Sequence, residues 1–288
     1  MAIGKKELRT ISVQIPSWTA FPWLRHGFST RYGGVSTVYG GTSLNLGWTK
    51  EDDPAKVAIN RQRFLGACCG DSPQRPALVT VRQIHSATVW PVREQDGARE
   101  GKLETPEGKA VLEGDGLMTG LPGVMLGVQT ADCVPVLVAD VKRRAVAAFH
   151  AGWRGTVARI VEHGVAKMQA EYGGRPEDLI AAVGPSIGAC CYPVGNEVRS
   201  AFGEQFSYAY QLFRSGADGQ RHLDLWEANR RQLLDAGIGE AKIAVVGECT
   251  ACARDEDGAR RYFSYRAEHG VTGRMMSMVG MKQVDNGD

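Results

Sequence analysis

His85, Cys133 and His150 are the residues of this 288-residue chain whose types and settings could do chemistry together. Each lies at or beside the end of a short apolar run. His85 follows Arg82-Gln83-Ile84, Cys133 follows Ala131-Asp132, and His150 precedes Ala151-Gly152-Trp153-Arg154-Gly155. Such ends are where a sheet delivers side chains to one pocket. Two imidazoles and a thiolate with no evident fourth partner are the donor set of an open zinc site, in which water or a reactant completes the shell. A site of that composition carries a charge of about +1, which draws the pKa of a bound water toward neutrality and makes it a nucleophile. Taken singly, His85 reads as a half-buried turn histidine and Cys133 as an inert core thiol. The glycines beside His150 weigh toward function, because they imply backbone approaching something closely. Asp132 adjoins Cys133, but neighbours in an extended segment point to opposite faces. It reads as a turn cap, with orientation of an imidazole as the alternative.

The elements that must position these residues are strands mixed with helices. Apolar runs bounded by Gly, Asp or Pro predict strands over 78–81, 88–92, 124–129, 134–139, 145–149, 179–183, 242–246 and 275–281. Several are continuously apolar, as in strands covered on both faces. Arg143-Arg144 after Asp140 predicts a hairpin turn. Pro54 opens a helix to about residue 65. A second helix begins near Trp153, carries Val157, Ile160, Val161, Gly164, Val165 and Met168 on one face, and ends at Gly173-Gly174. A third starts at Asp224, where Glu227 three residues on suggests a capping box, and stops at Gly237. The pattern predicts an α/β (α+β) fold, a single layered domain with mixed β-sheets flanked by helices. The stretch 94–114, rich in Glu, Gly, Lys and Arg, reads as a polar surface loop and not as a domain boundary. One domain over 1–288, with its core at about 25–281, is the expectation.

Composition narrows the class further. Hydrophobic content of 43% and charged content of 23% are those of a soluble globular protein. A net charge of +2 argues for neither a nucleic-acid nor a membrane partner. No apolar run has the length of a membrane span, and the first residues lack the pattern of an export signal, so a cytoplasmic location is the default. The seven cysteines are odd in number and include two adjacent pairs, which favours reduced thiols. Cys249-Thr250-Ala251-Cys252 has the spacing of a redox pair or half a zinc site. With no second matching pair, its plainer reading is a turn with buried thiols, and Cys190-Cys191 reads likewise as packing.

Eight segments carry a resemblance to a known family: Arg31-Tyr32-Gly33-Gly34-Val35-Ser36, Ser43-Leu44-Asn45-Leu46-Gly47, Gln83-Ile84-His85, Asp115-Gly116-Leu117, Thr130-Ala131-Asp132-Cys133, His150-Ala151-Gly152-Trp153-Arg154-Gly155, Gly184-Pro185-Ser186-Ile187 and Phe263-Ser264-Tyr265-Arg266. In this order they resemble the laccase-domain family, also called the polyphenol oxidase or multicopper polyphenol oxidase family, over about residues 25–281. The resemblance implies a zinc-dependent purine nucleoside phosphorylase acting on adenosine, inosine, guanosine and methylthioadenosine, with adenosine deaminase activity beside it. It implies a single layered domain related to the catalytic domain of cytotoxic necrotizing factor toxins. It also implies a His, Cys, His ligand set, which matches His85, Cys133 and His150.

The residues themselves bear on each activity. A multicopper oxidase needs many histidines, mostly in His-x-His pairs. This chain has six histidines and no such pair. The set could hold a single copper, but one copper cannot store the four electrons that reduce dioxygen to water. Phosphorolysis needs an anion site, for which arginine's planar fork is suited. The candidates are Arg154, at a helix start that favours phosphate, and Arg31 in the glycine-rich loop. Asn45 and Gln83 are candidates for hydrogen bonds to sugar or base, and Ser36 for the same pocket. The His-x-Glu and Pro-Cys-x-x-Cys arrangement of zinc nucleobase deaminases is absent. A thiolate–imidazolium pair formed by Cys133 with His85 or His150 would instead serve a cysteine hydrolase, and a non-catalytic nucleotide-binding module is the third reading. The expected partners are a purine nucleoside and inorganic phosphate, the expected cofactor is zinc with copper as the alternative, and the expected state is a monomer.

Overall fold

The structure is a computed structural model that describes residues 9–70, 75–216 and 218–283. Its strands are β1 (Ser12–Val13), β2 (Leu24–Ser29), β3 (Ala77–Thr80), β4 (Val89–Val92), β5 (Gly116–Thr119), β6 (Val124–Thr130), β7 (Val134–Asp140), β8 (Ala145–Ala151), β9 (Leu179–Val183), β10 (Phe213–Ser215), β11 (Arg221–Leu223), β12 (Ile243–Val245) and β13 (Met275–Met281). Its helices are α1 (Pro54–Cys69), α2 (Trp153–Val157), α3 (Ile160–Tyr172), α4 (Asn196–Gln205) and α5 (Leu225–Asp235). Two mixed sheets carry the architecture, ordered β1-β2-β13-β6-β3 and β12-β9-β7-β8-β5-β4, with β10-β11 as a separate ribbon.

The sheets lie face to face and helices cover their outer faces. Leu126, Val128 and Val279 of one sheet meet Leu137, Ala139, Val146, Ala148 and Ala182 of the other in the central core. The alternate residues Val136, Val138, Ala147 and Phe149 point the other way, into Ile160, Val165 and Met168 of α3, Phe202 of α4 and Leu233 of α5. Phe64 and Cys68 of α1 cover Met125, Met276 and Met278. The sheet residues are therefore apolar without alternation because both sides are buried. Among the described residues no helix is long and apolar enough to cross a membrane.

Local chemistry sets the element ends. The β7–β8 hairpin pairs Val134 with Ala151 through to Asp140 with Ala145. Its turn is closed by Asp140 Oδ1, which accepts from the Lys142 and Arg143 amides at 2.9 and 2.8 Å. Asp53 caps α1 ahead of Pro54. Asp224 accepts from the Glu227 amide at 3.0 Å, but the return half of the expected capping box is missing. The Glu227 carboxylate is held instead by Arg230 and Arg231. The single helix expected from Trp153 is two helices. Arg159 adopts φ +56° between them and donates to Glu162 and to the Gln205 carbonyl. The polar stretch 94–114 is not wholly superficial, because Ala98 and Leu103 are buried in the central core.

Candidate metal centre and its cleft

The six-stranded sheet assembles the site. Pro135 of β7 stands opposite His150 of β8, so Cys133, two residues earlier, leaves the hairpin beside that histidine. On the other side of β8, Gly116 of β5 pairs with Phe149, and the His150 amide donates to the Asp115 carbonyl at 2.7 Å. The β4–β5 pair is parallel, and the segment that leads into β4 carries His85. One ligand atom each from His85, Cys133 and His150 lies within 4.8 Å of the others. His85 Nε2 is 3.9 Å from Cys133 Sγ. Bonds of about 2.05 and 2.3 Å to a tetrahedral zinc would separate such a nitrogen and sulfur by about 3.6 Å, so this pair fits one ion with a shift of tenths of an ångström.

Asp115 is the organiser that the sequence reading left without a role. Its fully buried carboxylate accepts from His150 Nδ1 at 2.8 Å, which leaves Nε2 as the ligand atom. It also accepts from the amides of Ile84, His85 and Ser86 and from the Ser86 hydroxyl, at 3.3, 3.0, 2.6 and 2.8 Å. Those bonds hold His85 at φ +60°, a region that non-glycine residues seldom occupy. Gly152 completes the enclosure: a Cβ there would stand 3.0 Å from both Cys133 Sγ and His85 Cδ2. The backbone approach suggested by the glycines is thus an approach to the donor atoms themselves.

Electrostatics pair a Cys133 thiolate with a protonated His150, so an ion binding here would displace the His150 proton. Burial opposes the Cys133 thiolate, but the His150 and His85 imidazoles outweigh it and lower the thiol's pKa. Burial likewise opposes charge on His150, and the Cys133 sulfur and Asp115 carboxylate override it. Asp115 is raised by burial but held at about 2 by the hydrogen bonds from His150 and Ser86. Asp132 does not orient an imidazole. It takes φ +94° and accepts from Thr250 Oγ1 and the Arg266 amide, each at 2.7 Å, so it ties the turn ahead of Cys133 to two other loops.

The three donors open into a cleft of about 870 Å³, a volume suited to a nucleoside-sized ligand. Gln83 lines it, with its amide engaged in two 2.7 Å bonds to the Gln129 backbone. Arg31, Ser36 and Asn45 are not in its wall. Arg31 is buried against Phe263 and bonded to Glu268 and the Tyr39 carbonyl. Ser36 accepts from Asn60 and pairs with Ser43. Asn45 reaches the cleft only indirectly, by accepting from the amide of Arg274, which does line it. Arg154 is exposed and stacks on Trp153, and it is Trp153 that faces the cleft. Arg82, Arg266 and Arg274 are the arginines of the cleft wall, with Trp48, Trp153, Tyr192 and Tyr265 as its aromatic surfaces. Their contributions come from loops far apart in sequence, so no spacing signals them. Cys249 and Cys252 do have a partner pair: all four sulfurs of Cys190, Cys191, Cys249 and Cys252 converge.

Comparisons with known proteins span most of the chain. A family model described as "Multi-copper polyphenol oxidoreductase laccase" matches residues 25–282. A protein named purine nucleoside phosphorylase from Deinococcus radiodurans is 38% identical over 256 residues, 89% of this chain and 88% of that one. A protein named adenosine deaminase RL5, from an unknown prokaryotic organism, is 38% identical over 230 residues, 78% of this chain and 84% of that one. The crystal structure of the Bacillus licheniformis hypothetical protein YfiH superposes with a TM-score of 0.82 at 32% identity, covering 96% of this chain and 98% of that chain.

Proposed function

The chain belongs to the multi-copper polyphenol oxidoreductase laccase family, and from that premise we propose that it is a zinc-dependent purine nucleoside phosphorylase. Its substrates are adenosine, inosine, guanosine and methylthioadenosine with inorganic phosphate, and deamination of adenosine is a secondary activity. The observation that carries the reading is a cleft that joins the His85, Cys133 and His150 donors to Arg82, Arg266 and Arg274, while Asp132, its one lining carboxylate among the described residues, is bonded at both oxygens. Phosphorolysis asks for cations that hold phosphate; deamination asks for a free carboxylate as proton carrier, and none lines this cleft among the described residues. The relative named purine nucleoside phosphorylase supports the first activity and the relative named adenosine deaminase supports the second.

In the reaction a phosphate oxygen attacks C1′, the C1′–N9 pair departs with the purine, and a proton must reach the leaving base. Arg266 and Arg274 have no carboxylate within ion-pair distance among the described residues; each donates Nη1 to backbone carbonyls, and their remaining N–H groups are offered to phosphate. Arg82 is shared with Glu113. Arg154, which stacks on Trp153 outside the cleft wall, is a further phosphate candidate, close enough to Tyr192 to bear on its hydroxyl. Burial, then the nearby Cys133 and Asp132, push the Tyr192 phenol up to about 12. It therefore stays protonated and offers a hydrogen bond to the leaving base, whose proton comes from solvent. The Trp153 and Tyr265 rings offer faces on which a purine stacks. His85, Cys133 and His150 would hold the zinc, which when bound supplies a Lewis acid at the cleft floor.

Product analysis on adenosine, with and without phosphate, tests this. Free adenine and ribose 1-phosphate should appear only with phosphate, and Arg266→Ala and Arg274→Ala should each raise the KM for phosphate at least tenfold while leaving metal content intact. Inosine formed equally well without phosphate would reverse the ranking of the two reactions. The lowered pKa of Cys133 beside His150 favours one other reading, a cysteine hydrolase, and activity that survives chelation but not thiol alkylation would establish it. Elemental analysis separates zinc from copper.

A further inference from the structure

The Cys190, Cys191, Cys249 and Cys252 sulfurs lie within 4.8 Å of one another, and the proposed reaction uses none of the four. The fold brings them together because β9 and β12 are parallel neighbours, so the loops that follow them run side by side. Ser186 and Cys249 form a bridge between those loops, and the Thr250 amide donates to the Ser186 carbonyl at 3.0 Å. We propose that these four cysteines form a second metal centre, a closed structural zinc site that locks the two loops together.

Distances discriminate among the ways such a cluster could be used. Four sulfurs about 2.3 Å from a tetrahedral zinc stand about 3.8 Å apart, and Cys190 Sγ is 3.7 Å from Cys252 Sγ. An iron–sulfur cluster would spread its cysteines around a larger body than this group encloses. A disulfide between Cys190 and Cys252 would need the sulfurs to close to about 2.05 Å. The surroundings suit a tetrathiolate. The Gly188 amide donates to Cys249 Sγ at 3.2 Å, the kind of bond that orients and stabilises a ligating thiolate. Arg254 and Arg260 donate to the Ala251 and Ala253 carbonyls of the same turn at 2.9–3.5 Å, which sets positive charge beside a group that would carry about −2 with zinc.

The locked loops have a task at the first site. Thr250, next to Cys249, donates to the Asp132 carboxylate, and Ile187, from the loop that carries Cys190, donates to the Asp132 carbonyl at 2.9 Å. Asp132 precedes Cys133 in the chain, so the second ion braces the turn that presents the catalytic-site sulfur. Four thiolates leave no vacant position, which makes this ion a brace and not a Lewis acid for substrate.

Zinc counting by mass spectrometry, on protein purified in reductant without added metal, tests the proposal independently of the nucleoside activity. The parent should hold about two zinc ions per chain and Cys133→Ala about one. Cys249→Ser with Cys252→Ser in that background should hold close to none and melt at lower temperature. Should that variant not fold, cobalt-substituted Cys133→Ala decides: its thiolate-to-cobalt absorption should have the intensity of four sulfurs. Cys133→Ala without zinc, iron in its place, or an intact mass lower by one disulfide would overturn the proposal.

Discussion

One carboxylate, Asp115, governs the geometry of two of the three donors. Five hydrogen bonds converge on it, one from the His150 ring and four from the backbone and side chain of residues 84–86. Asp115→Asn substitutes a donor NH₂ for one of the two accepting oxygens and removes the charge. Zinc affinity should fall about 10–100-fold, as for loss of a partner behind a metal-bound histidine, measured by competition with a chromophoric chelator. An affinity unchanged within error would mean that His150 is positioned by the sheet alone. The three donors were legible in the sequence because His and Cys are rare and each sat at the end of an apolar run. Asp115 was not, because its role depends on the β5–β8 register that sets it across from His150, a long-range fact. Arg31, Ser36 and Asn45 stand in recognisable motifs, yet their polar groups are spent on buried backbone and side-chain partners, so those motifs describe loop architecture at least as much as ligand contact.

Elements show the same division between local and non-local information. β9 and β13 were legible to the residue, β9 as an unbroken apolar run between Asp178 and Gly184 and β13 as a mainly apolar run between Arg274 and Lys282. β2 was not, because Arg25, His26 and Gly27 hide a strand whose faces are both buried by partners distant in sequence. The break between α2 and α3 is likewise tertiary, held by the reach of Arg159 to α4's end. Two helical glycines make opposite predictions for one substitution. In α3, a Cβ on Gly164 would lie 2.5 Å from Phe149 Cε1, beside His150. Gly164→Ala should therefore destabilise by about 1–3 kcal/mol, the usual result of overpacking. In α1, a Cβ on Gly66 meets nothing within 4 Å. Gly66→Ala should stabilise by about 0.5–1 kcal/mol through reduced backbone entropy of the unfolded chain. Urea denaturation of both variants would test the pair, and equal signs would show that α3 is free to slide on β8.

The whole molecule should lose stability in mild acid through one buried imidazole. His26 is 6% exposed, packs on Trp18 and accepts the Ile15 amide at Nε2, 2.8 Å away. Burial lowers its pKa from 6.5 to about 4. The neutral form is the one the fold accommodates, so its contribution is fully present above the unfolded value of 6.5 and is lost as pH falls through about 4. Over that window the unfolded chain binds the extra proton, and the shift corresponds to about 3 kcal/mol. His26→Gln keeps an acceptor but does not titrate. Its unfolding free energy should decline less steeply than the parent's across this range by that amount, and parallel curves would show that the parent's acid sensitivity arises elsewhere.

The route by which β4 joins its sheet has a consequence for traffic of the ion. Cys133 and His150 belong to the two arms of one hairpin deep in the molecule, whereas His85 is solvent-exposed and hangs from the outermost strand. Of the three proposed ligands, two sit on the hairpin and the third on the sheet rim, tied there by the Asp115 carboxylate. Peeling back that rim would release a single imidazole while the sulfur and the Asp115-backed ring kept their places. Loading and exchange should then be quick relative to global unfolding, and changes along the rim should alter residence time more than equilibrium affinity.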